Sequence, residues 1–153
     1  MPKIWIDADA VPKKIKEILL KTAENRFVPM TFVANYAVDI PKWKWVQRHV
    51  VDSGFDKADD WIVGQCQEND LVITADVPLA ARVIEKGAEA VTPRGRSLDK
   101  ESIKESLSFR NFSEDLRNSG VQTGGPPPLS PKNVQQFSNI LHTWVQKHHP
   151  KTK

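Results

Sequence analysis

Two short apolar stretches decide the fold, Lys3-Ile4-Trp5-Ile6-Asp7 and Leu71-Val72-Ile73-Thr74. Short apolar runs that end in polar or turn-forming residues are typical of strands buried on both faces. Residues 30–34, 45–51 and 88–91 have the same character and predict three further strands. The sheet is therefore expected to contain five short strands distributed over the first ninety residues.

Helices are predicted between these strands. Pro12 suits the first turn of a helix, and the apolar residues after it recur at helical spacing. A second helix is expected from about residue 57 to 67. A third is expected to begin at Asp76 and Pro78 and to end at Lys86-Gly87. Strand–helix alternation with apolar strands predicts an α/β fold whose parallel sheet is covered on both faces. The apolar residues of the first helix are Ile15, Ile18, Leu19 and Ala23.

The last third of the chain has a different composition. Residues 98–119 form a charged amphipathic stretch, and Gly124-Gly125-Pro126-Pro127-Pro128 cannot continue a helix. We therefore predict an α/β domain over 1–123, a stiff connector over 124–131, and a C-terminal helix and tail over 132–153. That helix must dock on the domain or on a second subunit, which leaves a homo-oligomer open. The residues expected to face inward are Ile103, Leu107 and Leu116, then Val134, Phe137, Ile140, Leu141, Trp144 and Val145.

Length and composition limit the class of protein. A chain of 153 residues with 39% hydrophobic and 27% charged residues fits one compact domain with a short appendage. No apolar run approaches the roughly 20 residues that cross a bilayer, and the first residues do not resemble a secretion signal. A single cysteine, Cys66, excludes an internal disulfide and a cysteine-based zinc site, and we expect it to be an inert packed thiol. The expected location is the cytoplasm.

The charge is distributed unevenly. The net charge is +3, but residues 1–93 carry a net −2 and residues 94–153 a net +5. An acidic first part joined to a basic last part can place a metal site beside a rim that attracts phosphate. A solvated surface with uneven charge is the simpler alternative.

Carboxylates follow the predicted strands. Asp7 and Asp9 are two residues apart at the end of the first strand, so an extended backbone would direct both side chains to one side. Asp76 follows the Leu71–Thr74 strand after a single alanine. Ligands of open parallel sheets bind at the carboxyl ends of strands, where the strand order reverses. If the strands of Asp7 and Asp76 are neighbours there, these three side chains converge.

A second acidic group lies at the start of the predicted second helix. Asp56, Asp59 and Asp60 are spaced i, i+3 and i+4, which places them on one helix face. Packed carboxylates repel unless a cation neutralises them, and Mg²⁺ or Mn²⁺ prefers such oxygen ligands. Each residue also has a structural explanation, because Asp56 and Asp76 are good helix N-caps and Asp60 is compatible with a solvated helix face.

Seven segments of the chain, in the order in which they occur, resemble motifs of the bacterial YaiI/YqxD family. The resemblance covers residues 3–145 and implies a PIN-like three-layer α/β/α sandwich with an acidic metal-binding pocket. By position it implies that Asp7, Asp9, Asp59, Asp60 and Asp76 are catalytic and metal-binding, with Asn35 as an additional polar contact. The family commonly has cysteine where this chain has Val11, which excludes a thiol role there. The matching segments are residues 4–10, 32–35, 58–63, 70–80, 93–95, 116–120 and 124–126.

Three functions are compatible with these residues. The first is a metal-dependent PIN-like nuclease that hydrolyses RNA, with Mg²⁺ or Mn²⁺ held by the aspartates and with Arg94 and Arg96 clamping a phosphate. The second is a phosphatase of the haloacid-dehalogenase type, with Asp7 as nucleophile and Asp9 as acid/base. The third is a non-catalytic RNA- or partner-binding module with a weak metal site. The tryptophans are expected to pack in the core, and Trp43 and Trp45, which lie among Lys42, Lys44 and Arg48, are the pair to test for nucleic-acid contact.

Overall fold

The computed structural model describes residues 2–41, 43–51, 57–104 and 129–149. Its strands are β1 Ile4–Asp7, β2 Met30–Ala34, β3 Val46–Val50, β4 Leu71–Ile73, β5 Glu89–Val91 and β6 Ser97–Leu98. They form one sheet in the order β3-β2-β1-β4-β5-β6. The first five strands are parallel, and β6 runs antiparallel to β5. The α/β class and the mostly parallel sheet are confirmed.

Helices connect the strands as the sequence pattern indicates. They are α1 Lys13–Arg26, α2 Lys57–Gln65, α3 Val77–Glu85 and α4 Pro131–His148, with residues 100–104 also helical. The predicted strands and helices are confirmed to within a few residues. The pattern gave no indication of β6, because two residues are too short to show an alternation. It also missed the short 3₁₀ helix Ala8–Ala10.

The sheet is covered on both faces, which makes the fold a three-layer sandwich. On one face, β1 and β2 side chains such as Ile6 and Phe32 pack against α1 and α4. On the other face, alternate residues such as Trp5 and Val72 pack against α2 and α3. Because successive strand residues point to opposite faces, each central strand contributes to both hydrophobic layers.

The C-terminal helix α4 packs on the sheet domain of its own chain. Four of its apolar residues are buried in the α1-side layer, and Arg26 of α1 donates to the backbone carbonyl of His149 at 2.9 Å. The turn after β5 also contacts α4. There Gly95 has a φ of +84°, and a Cβ at this position would overlap the backbone nitrogen of Phe137. Glycine is therefore required both by the left-handed backbone and by the close approach. The four buried residues are Phe137, Leu141, Trp144 and Val145.

Some sequence predictions fall outside the described residues. Ile103 is buried as expected. Four other predictions concern residues outside the described ranges: the inward orientation of Leu107 and Leu116, residues 124–128 of the connector predicted over 124–131, the capping role of Asp56, and the contribution of Lys42. In the part of the chain that the structure describes, no helix combines the length and apolar character needed to span a membrane.

A buried carboxylate at the amino edge of the sheet has a structural role. Asp70 is 4% exposed and accepts hydrogen bonds from the backbone nitrogens of Lys3 and Gln67 and from Nε1 of Trp5. These bonds tie the start of β1 to the start of β4 and satisfy the buried charge. Asp70 therefore belongs to the framework of the sheet and lies at the edge opposite the carboxyl ends of the strands.

The tryptophan pair before β3 lies at this same amino edge. Trp43 and Trp45 stack with ring centroids 5.6 Å apart, and Nε1 of Trp45 donates to the carbonyl of Ala23 at 2.8 Å. Both rings pack against the α1-side hydrophobic layer. Their position and packing support a core role and separate them from the carboxyl edge of the sheet.

The strand order creates one point of reversal. From β1 the chain proceeds outward through β2 to β3, and then crosses back to β4 on the other side of β1. The helices that follow β1 and β4 therefore lie on opposite faces of the sheet, which leaves a crevice between the carboxyl ends of these two strands. We call this crevice the switch point between β1 and β4.

Candidate acidic site at the switch point

Asp7 ends β1 at the switch point, and its carboxylate is bound to the neighbouring strand. Its side chain is 9% exposed, and its Oδ2 accepts a hydrogen bond of 3.0 Å from Oγ1 of Thr74. Thr74 directly follows β4 and is fully buried. The parallel register of β1 and β4 brings the two residues level with each other. The convergence of β1 and β4 predicted from the sequence is therefore present at Asp7.

Asp76 is linked to Asp7 through the same hydroxyl. The backbone nitrogen of Asp76 donates to Oγ1 of Thr74 at 3.0 Å, while Oδ1 of Asp76 accepts from the nitrogen of Leu79 at 3.1 Å. The second bond makes Asp76 the N-cap of α3, as its structural alternative predicted. The Asp76 side chain therefore stabilises α3 and also contributes negative charge beside Asp7.

Asp9 does not lie on an extended continuation of β1. The prediction that an extended backbone directs the Asp7 and Asp9 side chains to one side is therefore wrong. After Asp7 the backbone turns into the 3₁₀ helix Ala8–Ala10. A 3₁₀ turn has three residues per turn, so residues two apart no longer point in the same direction. Asp9 is exposed, but its charge still acts on Asp7.

The electrostatics of Asp7 reflect this crowding. Burial raises the pKa of the Asp7 carboxyl above its ordinary value, and the hydrogen bond from Thr74 partly opposes the rise. The negative charges of Asp9 and Asp76 raise the pKa of Asp7 further. The structure thus brings Asp9 and Asp76 within electrostatic reach of Asp7, which disfavours the ionised form of Asp7.

The acids of α2 are placed differently. Asp59 is half-buried in the first turn of α2, and Asp60 is exposed. Oδ1 of Asp60 forms an ion pair of 2.9 Å with Nη1 of Arg82 in α3. Exposed pairs of this kind contribute little to stability, and this pair connects the two helices on one face of the sheet.

The predicted polar contacts lie around the same edge. Asn35 is exposed in the bend after β2, and Arg96 is exposed in the turn between β5 and β6. In the same turn, Nη1 of Arg94 lies 3.5 Å from Oδ1 of Asn133 at the start of α4. Because adjacent strands are about 4.8 Å apart, this turn begins roughly 10 Å along the edge from β1.

His49 and Thr74, which were not predicted as site residues, lie in the same row across the sheet as Asp7. Thr74 lies beside Asp7 on one side, and on the other side the register pairs Asp7 with Val33 and Val33 with His49. The His49 ring stacks on Trp61 of α2 with centroids 3.7 Å apart. The sequence signal that could have identified His49 and Thr74 is their position at the ends of parallel strands.

The donor set has the chemistry of a hard-cation site. Carboxylate and hydroxyl oxygens are the ligands that Mg²⁺ and Mn²⁺ prefer. Among the described residues, no group of three or more histidine, cysteine, aspartate or glutamate side chains has the arrangement of a metal site. Since Mg²⁺ is usually held by one or two carboxylates and several waters, Asp7 with one neighbouring acid is a sufficient set.

The Thr74 hydroxyl provides a direct test of this network. Replacing Thr74 with valine keeps the shape but leaves Asp7 without its donor and the Asp76 nitrogen without its acceptor. We expect a loss of about 1–3 kcal/mol in the free energy of unfolding at neutral pH. The pKa of Asp7 should also rise further, because the lost hydrogen bond lowers it. Denaturant unfolding at several pH values measures both effects.

Serine is the matched control for this substitution. Thr74→Ser keeps the hydroxyl and should stay closer to the wild-type stability than Thr74→Val at neutral pH. The cost of the valine variant should shrink at low pH, where Asp7 is protonated. Equal stability of the valine and wild-type proteins would contradict the bridging role of Thr74.

The fold and site define an α/β protein with an acidic crevice at the switch point of a mostly parallel sheet. A family model described as "Uncharacterized BCR, YaiI/YqxD family" matches residues 5–147, and the chain belongs to this family. The chain is 50% identical over 143 residues to UPF0178 protein Shewana3_1627 of Shewanella sp. (strain ANA-3), covering 94% of this chain and 95% of the relative. It is 50% identical over 139 residues to UPF0178 protein Mmwyl1_2258 of Marinomonas sp. (strain MWYL1), covering 91% and 93%. No solved structure matches the chain.

Proposed function

We propose that this protein is a metal-dependent nuclease of the PIN-like type that hydrolyses phosphodiester bonds of RNA. The observation that carries the proposal is the hydrogen-bonded chain Asp7–Thr74–Asp76 at the switch point, with the charge of Asp9 added to it. A buried carboxylate beside two like charges is costly for folding. A bound cation would offset the repulsion among these carboxylates, which packing alone leaves uncompensated.

Asp7 is the central ligand of the proposed site, and Asp9 or Asp76 completes the set. When bound there, Mg²⁺ or Mn²⁺ supplies an acidified water and neutralises charge on a phosphate. Asp59 lies in the first turn of α2, is half-buried, and is a further candidate ligand of the cation. Asp60 is the weakest candidate, because its carboxylate is paired with Arg82.

The surrounding residues have supporting tasks. Thr74 fixes the orientation of Asp7 through one hydrogen bond and holds the start of α3 through another. The raised pKa of Asp7 means that, without a cation, its carboxylate accepts a proton more readily than an exposed aspartate does.

RNA is the proposed substrate because two arginines lie in a turn at the same edge of the sheet as the acidic crevice. The turn after β5 carries Arg94 and Arg96, and residues 94–153 have a net charge of +5. Arginine matches phosphate geometry with two parallel hydrogen bonds. Binding of RNA should therefore weaken steeply as salt increases, because counterions are released from the phosphates.

The direct test is cleavage of a labelled single-stranded RNA by purified protein in Mn²⁺, with EDTA as the control. We expect fragments that accumulate with time only when the divalent ion is present. A DNA strand of the same sequence tests the choice of RNA. RNA binding in EDTA without any cleavage in Mn²⁺ would overturn the nuclease and favour the non-catalytic binding module.

A second candidate is an aspartyl phosphatase, because the Thr74 hydroxyl, 3.0 Å from Oδ2 of Asp7, orients the carboxylate that would act as the nucleophile. In that reaction Asp7 attacks the phosphorus of a phosphate monoester, the bond to the ester oxygen breaks, and Asp9 protonates the leaving alcohol. Water then hydrolyses the phosphoaspartate. Intact-mass detection of a phosphorylated Asp7 during turnover of p-nitrophenyl phosphate would support the phosphatase over the nuclease.

A further inference from the structure

A cavity of about 310 Å³ opens beside the acidic site, on the α1 side of the sheet. Its lining includes Ala8, which directly follows Asp7, together with Val11, Lys16, Tyr36 and Asp39. The volume lies at the lower end of the range for small-molecule pockets. The cavity therefore lies at the same edge of the sheet as Asp7 but on the α1 face, whereas Asp7, which follows the α1-facing Ile6 on β1, points to the α2–α3 face.

The Tyr36 ring at this cavity is unusually open. Tyr36 is 50% exposed in the bend after β2. Among the described residues, no aromatic ring stacks on it. Within the described ranges, the other large exposed aromatic is Phe27, which is 65% exposed at the amino edge and packs edge-to-face with Trp45. An exposed aromatic face next to a cavity is suited to stacking with a flat ligand.

The cavity lining carries one positive and one negative side chain, Lys16 and Asp39, and the first turn of α1 carries two further lysines, Lys13 and Lys14. Lysines in the first turn of a helix oppose the helix dipole and do not favour its stability. Their presence is therefore better explained by an anionic partner than by the folding of α1.

We propose that this cavity binds the nucleobase next to the reacting phosphodiester of a single-stranded RNA, with Tyr36 stacking on the base and Lys16 contacting the adjoining phosphate. This inference rests on the proposed nuclease function, and it adds Tyr36 and Lys16 as substrate-binding residues. Bases of a duplex are stacked on one another and cannot present a face to Tyr36. The cavity therefore selects unpaired RNA.

The test is fluorescence anisotropy with a short labelled oligouridylate in EDTA, so that binding is measured without cleavage. We expect Tyr36→Ala to weaken binding by at least about five- to tenfold, because losing one base–aromatic stack reduces affinity by a factor of that size. Tyr36→Phe should restore binding to near wild type. Lys16→Gln should weaken binding and reduce the slope of log K against log salt by about one phosphate contact.

Phe27→Ala is the matched control, because it removes an exposed aromatic ring at the opposite edge of the sheet. It should bind the oligomer like the wild type. Wild-type affinity of Tyr36→Ala, or equal weakening by Phe27→Ala, would overturn the inference, as would an absence of binding by the wild-type protein. Binding that depends on Tyr36 but is never followed by cleavage in Mn²⁺ would refute the nuclease and leave the base-binding cavity in place.

Discussion

Asp7→Asn will abolish Mn²⁺-dependent RNA cleavage and at the same time raise the melting temperature of the protein at neutral pH. Asparagine keeps the shape and an oxygen that accepts the Thr74 hydroxyl, but it removes the central negative charge. Cleavage should fall at least about a hundredfold, the scale of losing a group that holds or orients a catalytic ion. Cleavage assays and thermal melts of the same preparations measure the two effects.

The stability gain follows from the sign of the pKa shift of Asp7. Its pKa in the folded protein is raised above the ordinary value of 3.8, so the folded state holds this proton more tightly than the unfolded state does. The contribution of Asp7 is therefore most favourable below that ordinary value and is lost as pH rises through the raised pKa. The difference between Asp7→Asn and wild type should be largest at neutral pH and vanish under acidic conditions.

A surface acid provides the control for this prediction. Glu24→Gln removes one negative charge from the exposed side of α1, away from the switch point. It should leave both cleavage and the melting temperature close to wild type. An asparagine variant that is less stable than the wild-type protein at pH 7, or one that still cleaves RNA, would contradict the assignment of Asp7.

Mn²⁺ will stabilise the wild-type protein against heat, and this is the second large effect. An ion that binds only the folded state adds about 2.7 kcal/mol when its concentration is a hundred times Kd. For a chain of this size, each kcal/mol raises Tm by roughly 2–4 °C. The negative charges around Asp7 provide the reason, because the cation relieves their mutual repulsion.

The measurement is a thermal melt in EDTA and in increasing Mn²⁺. Glu24→Gln should respond like the wild type, whereas Asp7→Asn should lose most of the response. The gap in stability between Asp7→Asn and wild type should therefore narrow as Mn²⁺ is added. A wild-type melting temperature that does not move in millimolar Mn²⁺ would contradict the proposed cation site.

Much of the fold was predictable because its local signals agree. The strand Met30–Ala34 was predicted at its exact bounds, since an apolar run between polar segments is a strong strand signal. Pro12 and Asp76 located the starts of α1 and α3 through their known preferences at helix N-termini. The β6 strand lacked any such signal, because the extended conformation of its two residues depends entirely on pairing with the neighbouring strand β5.

The candidate site was predictable only in part. The sequence placed Asp7 at the end of one buried strand and Asp76 just after another. It did not distinguish Asp70, a buried acid bound at the opposite edge, as a structural residue. The extended geometry assumed for Asp9 was wrong because the backbone turns immediately after Asp7.

The sequence by itself determined the alternation of strands and helices, the two-faced burial of the sheet and the acids at the strand ends. These depend on hydrophobic period and local backbone preference, which are properties of neighbouring residues. Only the tertiary structure decided that β4 lies beside β1, that Thr74 joins Asp7 to Asp76, and that Asp60 pairs with Arg82. Contacts between residues distant in the chain depend on strand order and register, and no local pattern specifies them.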